Sequence, residues 1–114
     1  MKIKTSELQG PALDWAVAEC EELGIRRLSG GEFLLADGDF WFPSTDWAQG
    51  GPIIEREKIS VMFSFDLGVW VSAIGELWVP EEGGVHGPTP LIAAMRCYVA
   101  SKLGDEVEVP HGLA

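Results

Sequence analysis

Side chains able to do covalent or acid–base chemistry are few in this chain. Nucleophilic catalysis needs a hydroxyl or thiol beside a base, and the only histidines are His86 and His111. His111 lies close to the C-terminal end. His86 falls in a glycine-rich stretch, where a histidine is more often a solvated loop residue than a general base. In so acidic a chain Glu55/Glu57 and Asp37/Asp39 read as a solvated surface and a turn rather than as an acid–base pair. Cys20 and Cys97 are far apart and outside any CxxC pair, so each reads as a small buried hydrophobe rather than a zinc or redox ligand. No HExxH, Walker loop, GxGxxG or calcium-loop spacing occurs. The expectation is a protein that is not an enzyme and that needs no metal or cofactor.

Binding chemistry is better represented. Five tryptophans stand against one tyrosine. Trp41, Trp70 and Trp78 sit in strand-like runs, where packing explains them. Trp15 and Trp47 fall at helical positions beside polar residues, where a ring could stack on a planar ligand. Two expected helix starts, at Ser44-Thr45 and at Thr89-Pro90, carry free backbone N–H groups that can hold an anion. Asp46 sits in the first turn after Ser44-Thr45, favourably placed against the positive helix end. Arg56 closes the Trp47 segment, and Arg96 lies off the apolar stripe of the later helix. The candidate ligand-binding residues are thus Trp15, Ser44, Thr45, Asp46, Trp47, Arg56, Thr89 and Arg96. Base on Trp, with phosphate on N–H groups and guanidinium, would suit a nucleotide-like small molecule. Each piece also has a plain structural reading: Trp15 covered by a second layer, Ser44 and Thr89 as simple caps, Arg96 paired with an acid such as Glu106.

Local elements must position these residues. Leu13, Ala16, Val17, Cys20 and Leu23 recur at helical spacing from Gly10-Pro11 to Gly24. Phe33-Leu34-Leu35 and Phe40-Trp41-Phe42 flank an Asp37-Gly38 step, a hairpin signal, and Pro43 ends the second run. Residues 59–65 alternate, turn at Asp66-Leu67-Gly68 and return as Val69-Trp70-Val71. Leu77-Trp78-Val79 predicts a short edge strand, and residues 80–90 a loop, their Gly and Pro content excluding regular structure. Thr89-Pro90 starts a second strong helix along Leu91, Ile92, Met95, Tyr98, Val99 and Lys102, closed by Gly104. Val107 and Val109 alternate with acids as a last short strand. Gly50-Gly51-Pro52 costs an interior helix ~1 kcal/mol per Gly and ~3 for Pro, so either a kink or two short turns is expected there. About three helical segments and four or five mainly antiparallel strands suggest an α+β fold with helices on both faces of one sheet.

With 114 residues the chain has the size of one domain, spanning 1–114. Its 18 acidic and 8 basic residues give a net charge of −10. That repels duplex phosphate, so nucleic acid is not an expected partner. The N-terminus lacks an apolar signal region, and no apolar run approaches the ~18 residues of a membrane span. A soluble, cytoplasmic protein without membrane partners is expected, with an exposed edge strand able to support a homo-oligomer.

Lys4-Thr5-Ser6-Glu7-Leu8, Ala12 to Ala18 (ALDWAVA), Pro43 to Glu57 (PSTDWAQGGPIIERE) and Gly87 to Pro110 (GPTPLIAAMRCYVASKLGDEVEVP) closely resemble the NinX family of tailed-phage and prophage proteins. The likeness covers nearly the whole chain. More loosely, the plan of LDxxVA, STD…II and GxTPLIAAMR is similar to phage proteins described as α-β-α ("ABA") sandwich domains. These resemblances imply a three-layer α-β-α sandwich on a mainly antiparallel sheet of four to five strands, and a small accessory protein acting in the cytoplasm of an infected bacterium. They transfer no catalytic residue. In that context the expected function is non-enzymatic capture of a nucleotide-derived molecule, with sequestration of a host immune signal as one use. The alternative is an acidic interaction module for a basic host or phage protein.

Overall fold

The computed structural model describes residues 1–75 and 84–113, so the expected strand at Leu77-Trp78-Val79 and the start of the expected 80–90 loop lie outside the described residues. In chain order the elements are β1 (Lys2–Lys4), a 3-10 turn (Thr5–Glu7), α1 (Gly10–Cys20), β2 (Ile25–Arg27), β3 (Phe33–Leu35), β4 (Phe40–Trp41), α2 (Trp47–Glu57), β5 (Ile59–Ser64), β6 (Val69–Ile74), β7 (Val85–Gly87), α3 (Pro90–Leu103) and β8 (Glu106–Glu108).

Helix α3 is the hub. Thr89 caps it by accepting from the Ile92 N–H at 3.1 Å, and Pro90 occupies its first turn, as the sequence predicts. Leu91, Ala93, Ala94, Met95, Cys97, Tyr98 and Val99 are all buried, because the helix packs against α1, α2 and the strands β5, β6 and β7. Close approach to β7 needs Gly87: a Cβ there would stand 2.5 Å from the Ala93 nitrogen. Leu13, Ala16 and Val17 of α1 meet Met95 and Val99 in the same core. Trp15, on α1, is half-buried against that core.

The mixed α+β class holds, but among the described residues no single sheet of four to five strands is formed. The described strands divide into three antiparallel sheets, β1-β8, β2-β3-β4 and β5-β6-β7. Pro43 cannot donate to a ladder, and α2 separates the β2-β3-β4 meander from β5. The third sheet carries β7 at Val85–Gly87, inside the stretch read from sequence as irregular. The first joins the chain's two ends, with Lys2 opposite Glu108 and Lys4 opposite Glu106.

One helix boundary and one helix interior differ from expectation. Helix α1 stops at Cys20 rather than at Gly24: Leu23 N–H donates to Ala18 at 3.0 Å and Glu22 N–H to Glu19 at 3.2 Å, a Schellman ending with Glu22 at φ 56°. Helix α2 runs through Gly50-Gly51-Pro52 as one element rather than as two short turns. Gly50 is there for packing, since a Cβ would lie 2.5 Å from Leu91 Cδ1 and 2.6 Å from the Pro43 oxygen. Among the described residues no helix is long and apolar enough to cross a membrane.

Candidate functional site

The β4 strand and the residue after it alternate in exposure. Trp41 is buried, whereas Phe40 is 49% and Phe42 42% exposed. Two phenyl rings left in water on one short strand are unusual in a domain with a well-filled core. Their backbone is held in three places. The Gln49 carboxamide, on α2, accepts from the Phe42 N–H at 2.7 Å and donates to the Phe40 oxygen at 2.6 Å. The Trp41 indole N–H donates to the Asp14 main-chain oxygen at 2.9 Å. The Ser44 N–H donates to Asp14 Oδ1 at 2.8 Å. Ordering a strand this firmly while exposing its rings is the construction expected of a binding surface.

These rings form one wall of a cleft of about 580 Å³. Pro11 and Asp14 of α1, Arg27 of β2, Gly30, Gly31 and Glu32 of the β2–β3 turn, and Phe33 complete it. That volume lies within the range of small-ligand sites. Arg27 Nη2 donates to the Gly112 oxygen at 3.2 Å, which steadies the guanidinium while leaving further N–H groups for an anion. Asp14 is 6% exposed and makes no ion pair among the described residues. Burial raises its carboxyl pKa. The Ser44 hydroxyl and N–H pull the other way without cancelling that effect, the hydroxyl falling short of well-formed hydrogen-bond geometry. A buried, poorly compensated carboxylate on a cleft wall marks a functional candidate. It can accept N–H donors from a guest.

None of the eight residues predicted from sequence lines this cleft. Ser44 comes nearest, through its bond to Asp14. It is buried and does not cap α2; nor does Thr45, which is exposed. Asp46 takes that role, accepting from the Ala48 N–H at 3.1 Å. Trp47 is 55% exposed at the start of α2. The Gly50–Leu91 contact makes the first turns of α2 and α3 neighbours, with Thr89 engaged as the α3 cap. Arg56 is committed elsewhere. It forms a two-pronged pair with Glu21 (3.1 and 2.5 Å), bonds Glu57 at 2.8 Å and lies over the Tyr98 ring. Tyr98 O–H also donates to Glu21. Burial raises the Glu21 pKa, but its bonds to Arg56 and Tyr98 outweigh this and hold it below the usual value. Arg96 is buried rather than free, and its partner is not Glu106. Its Nε donates to the Leu8 oxygen at 2.7 Å and Nη1 to the His86 oxygen at 3.0 Å. Burial lowers its pKa.

The sequence reading passed over Asp14, Gln49, Arg27 and the exposed pair Phe40 and Phe42. One signal was available: Asp14 interrupts an otherwise apolar run of α1 between Leu13 and Ala16-Val17.

A family model described as bacteriophage P22 NinX matches residues 4–102 of the 114. The chain belongs to the NinX family. The matched span contains every cleft-lining residue of this NinX-family chain. No curated protein shows a match to it.

Proposed function

We propose that this NinX-family phage protein captures a planar, anionic, nucleotide-derived small molecule in the cleft between α1 and the β2-β3-β4 sheet. The observation that carries the reading is the firmly held strand that exposes Phe40 and Phe42 beside a buried Asp14 carboxyl and Arg27. The phenyl rings offer apolar faces to a base. Asp14 accepts its exocyclic N–H groups, and Arg27 meets phosphate with planar, paired donors. The reading is capture rather than turnover, with sequestration of a host signal as its use in infection.

A thermal-unfolding comparison tests it with a protein-free, small-molecule extract of phage-infected bacteria as the probe. The extract should raise the unfolding midpoint of the wild-type protein, because a ligand that binds only the folded state stabilises it by mass action. It should leave Phe42→Ala unmoved. An unchanged wild-type midpoint, or an equal rise in both proteins, would contradict capture at this cleft.

A further inference from the structure

Helix α2 is weak by sequence and thinly seated. Gly50, Gly51 and Pro52 all disfavour a helix interior, and of its eleven residues only Gly50 and Ile53 are buried. Propensity and apolar burial therefore leave much of its order to directional bonds with its neighbours. Gln49, Ile53 and Arg56 stand at i, i+4 and i+7, so they share one face of the helix. Near its start Gln49 bonds the Phe42 N–H and the Phe40 oxygen. Ile53 enters the core.

At the other end Arg56 closes a clasp across three helices. Its guanidinium grips both carboxylate oxygens of Glu21, the C-cap of α1, at 3.1 and 2.5 Å. It also lies over the ring of Tyr98 on α3, 5.9 Å from the centroid, and the Tyr98 hydroxyl donates to the same carboxylate. An ion pair between two exposed side chains contributes little, because both must be ordered to form it. This pair differs. Tyr98 is buried and the Glu21 side chain is only 17% exposed, so the carboxylate is already fixed when the two-pronged grip forms.

We infer that Glu21 and Tyr98 are positioning residues for the cleft: they latch the C-terminal end of α2, and α2 holds the Phe40–Phe42 wall through Gln49. The use of this latch rests on the capture reading above. With the latch open, α2 loosens as a unit and Gln49 leaves the strand. Among the described residues β4 then keeps only β3 as a strand partner, and the backbone that aims the two rings loses its second support.

Native-state amide exchange, followed residue by residue by NMR on the ligand-free full chain, tests this. The Phe42 amide reports the Gln49 bond, and the β5–β6 ladder reports the rest of the fold. Glu21→Gln and Tyr98→Phe, the second keeping the buried ring, should each speed exchange at Phe42 and along α2 by about tenfold or more, with the β5–β6 amides changed far less. A pH profile separates the latch from general loosening. Arg56 and Glu57 of α2, Tyr98 and Lys102 of α3 and the adjacent Cys20 surround Glu21. Burial pushes its carboxyl up, but Arg56, Tyr98 and Lys102 outweigh this and hold it below the ordinary glutamate value of 4.5. Protection at Phe42 and α2, corrected for intrinsic exchange, should therefore be present above pH 4.5 and fall as pH drops through the lowered value, a step that Glu21→Gln should lack. Unchanged Phe42 exchange in either variant, or an equal rise across β5–β6, would overturn the inference. So would the same acid step in Glu21→Gln. No ligand enters the measurement, so the latch can fail while an extract still shifts the wild-type unfolding midpoint, and capture can fail while the latch stands.

Discussion

Ala12, Leu13, Ala16 and Val17 surround Asp14 on α1, and a carboxylate in such company is destabilising unless hydrogen bonds or a cation compensate it. Ser44 compensates in part. Because the folded-state pKa of Asp14 is raised above the ordinary aspartate value of 3.8, the charged form weakens the fold at neutral pH, and protonation on acidification relieves the penalty. Asp14→Asn keeps an acceptor for the Ser44 N–H and removes the charge. The expected outcome is a higher melting temperature than wild type at pH 7, the difference shrinking as pH falls through the raised folded-state value toward 3.8 and absent below it, together with loss of ligand binding. Calorimetric scans across pH check it. Arg96 is the opposite case. Arg96→Met removes the donors held by the Leu8 and His86 oxygens and should destabilise by about 1–3 kcal/mol for each acceptor left buried and unpaired, read by urea unfolding. The sequence shows that Arg96 departs from an apolar stripe. It cannot show that two carbonyls from distant segments converge on the guanidinium, and so a buried fastening looks like a free cation. Gln49 escapes notice for the same reason, since its partners are backbone atoms of Phe40 and Phe42.

Elements were most legible where their signals are local. Thr89-Pro90 and Gly104 bracket α3, and the Asp37-Gly38 and Asp66-Leu67-Gly68 turns bracket two hairpins, with Gly38 at φ 95° and Gly68 at φ 70°. The pairing of β1 with β8 joins residues about a hundred positions apart, and β2 and β7 are three residues long, too short for periodicity to register. Dividing the described strands among separate sheets is likewise a tertiary outcome. Helix α1 offers a direct test of its ending. Glu22 sits in the left-handed region that glycine adopts freely, so Glu22→Gly should stabilise the fold by about 1 kcal/mol, measured by chemical unfolding. At Gly50 the space, not the backbone angle, decides. Gly50→Ala would push a methyl against Leu91 and the Pro43 oxygen and should destabilise by about 1–3 kcal/mol, despite the better helix propensity of alanine.

At the scale of the whole molecule, one core running from Leu8 to Leu113 leaves apolar side chains outside it, the Phe40–Phe42 wall and the Met62–Phe65–Leu67 group among them. The first borders a cleft sized for a small molecule, and the second lies along β5 and its turn to β6. Membership of the NinX family sets both in a phage protein, and the sequence blocks that carry it, Lys4–Leu8 and Pro43–Glu57 among them, were legible at once. The cleft was not, because it draws on residues from 11 to 42 whose common wall exists only after β2, β3 and β4 have folded against α1. The measurement that bears most directly on its use is native mass spectrometry of protein purified from phage-infected cells, repeated after denaturation, for wild type and for Phe40→Ala/Phe42→Ala. The account predicts that wild type carries a non-covalent, phosphate-containing mass that denaturation releases, and that the double variant arrives empty. Wild-type protein that arrives without any bound small molecule, or a variant that carries the same one, would contradict it.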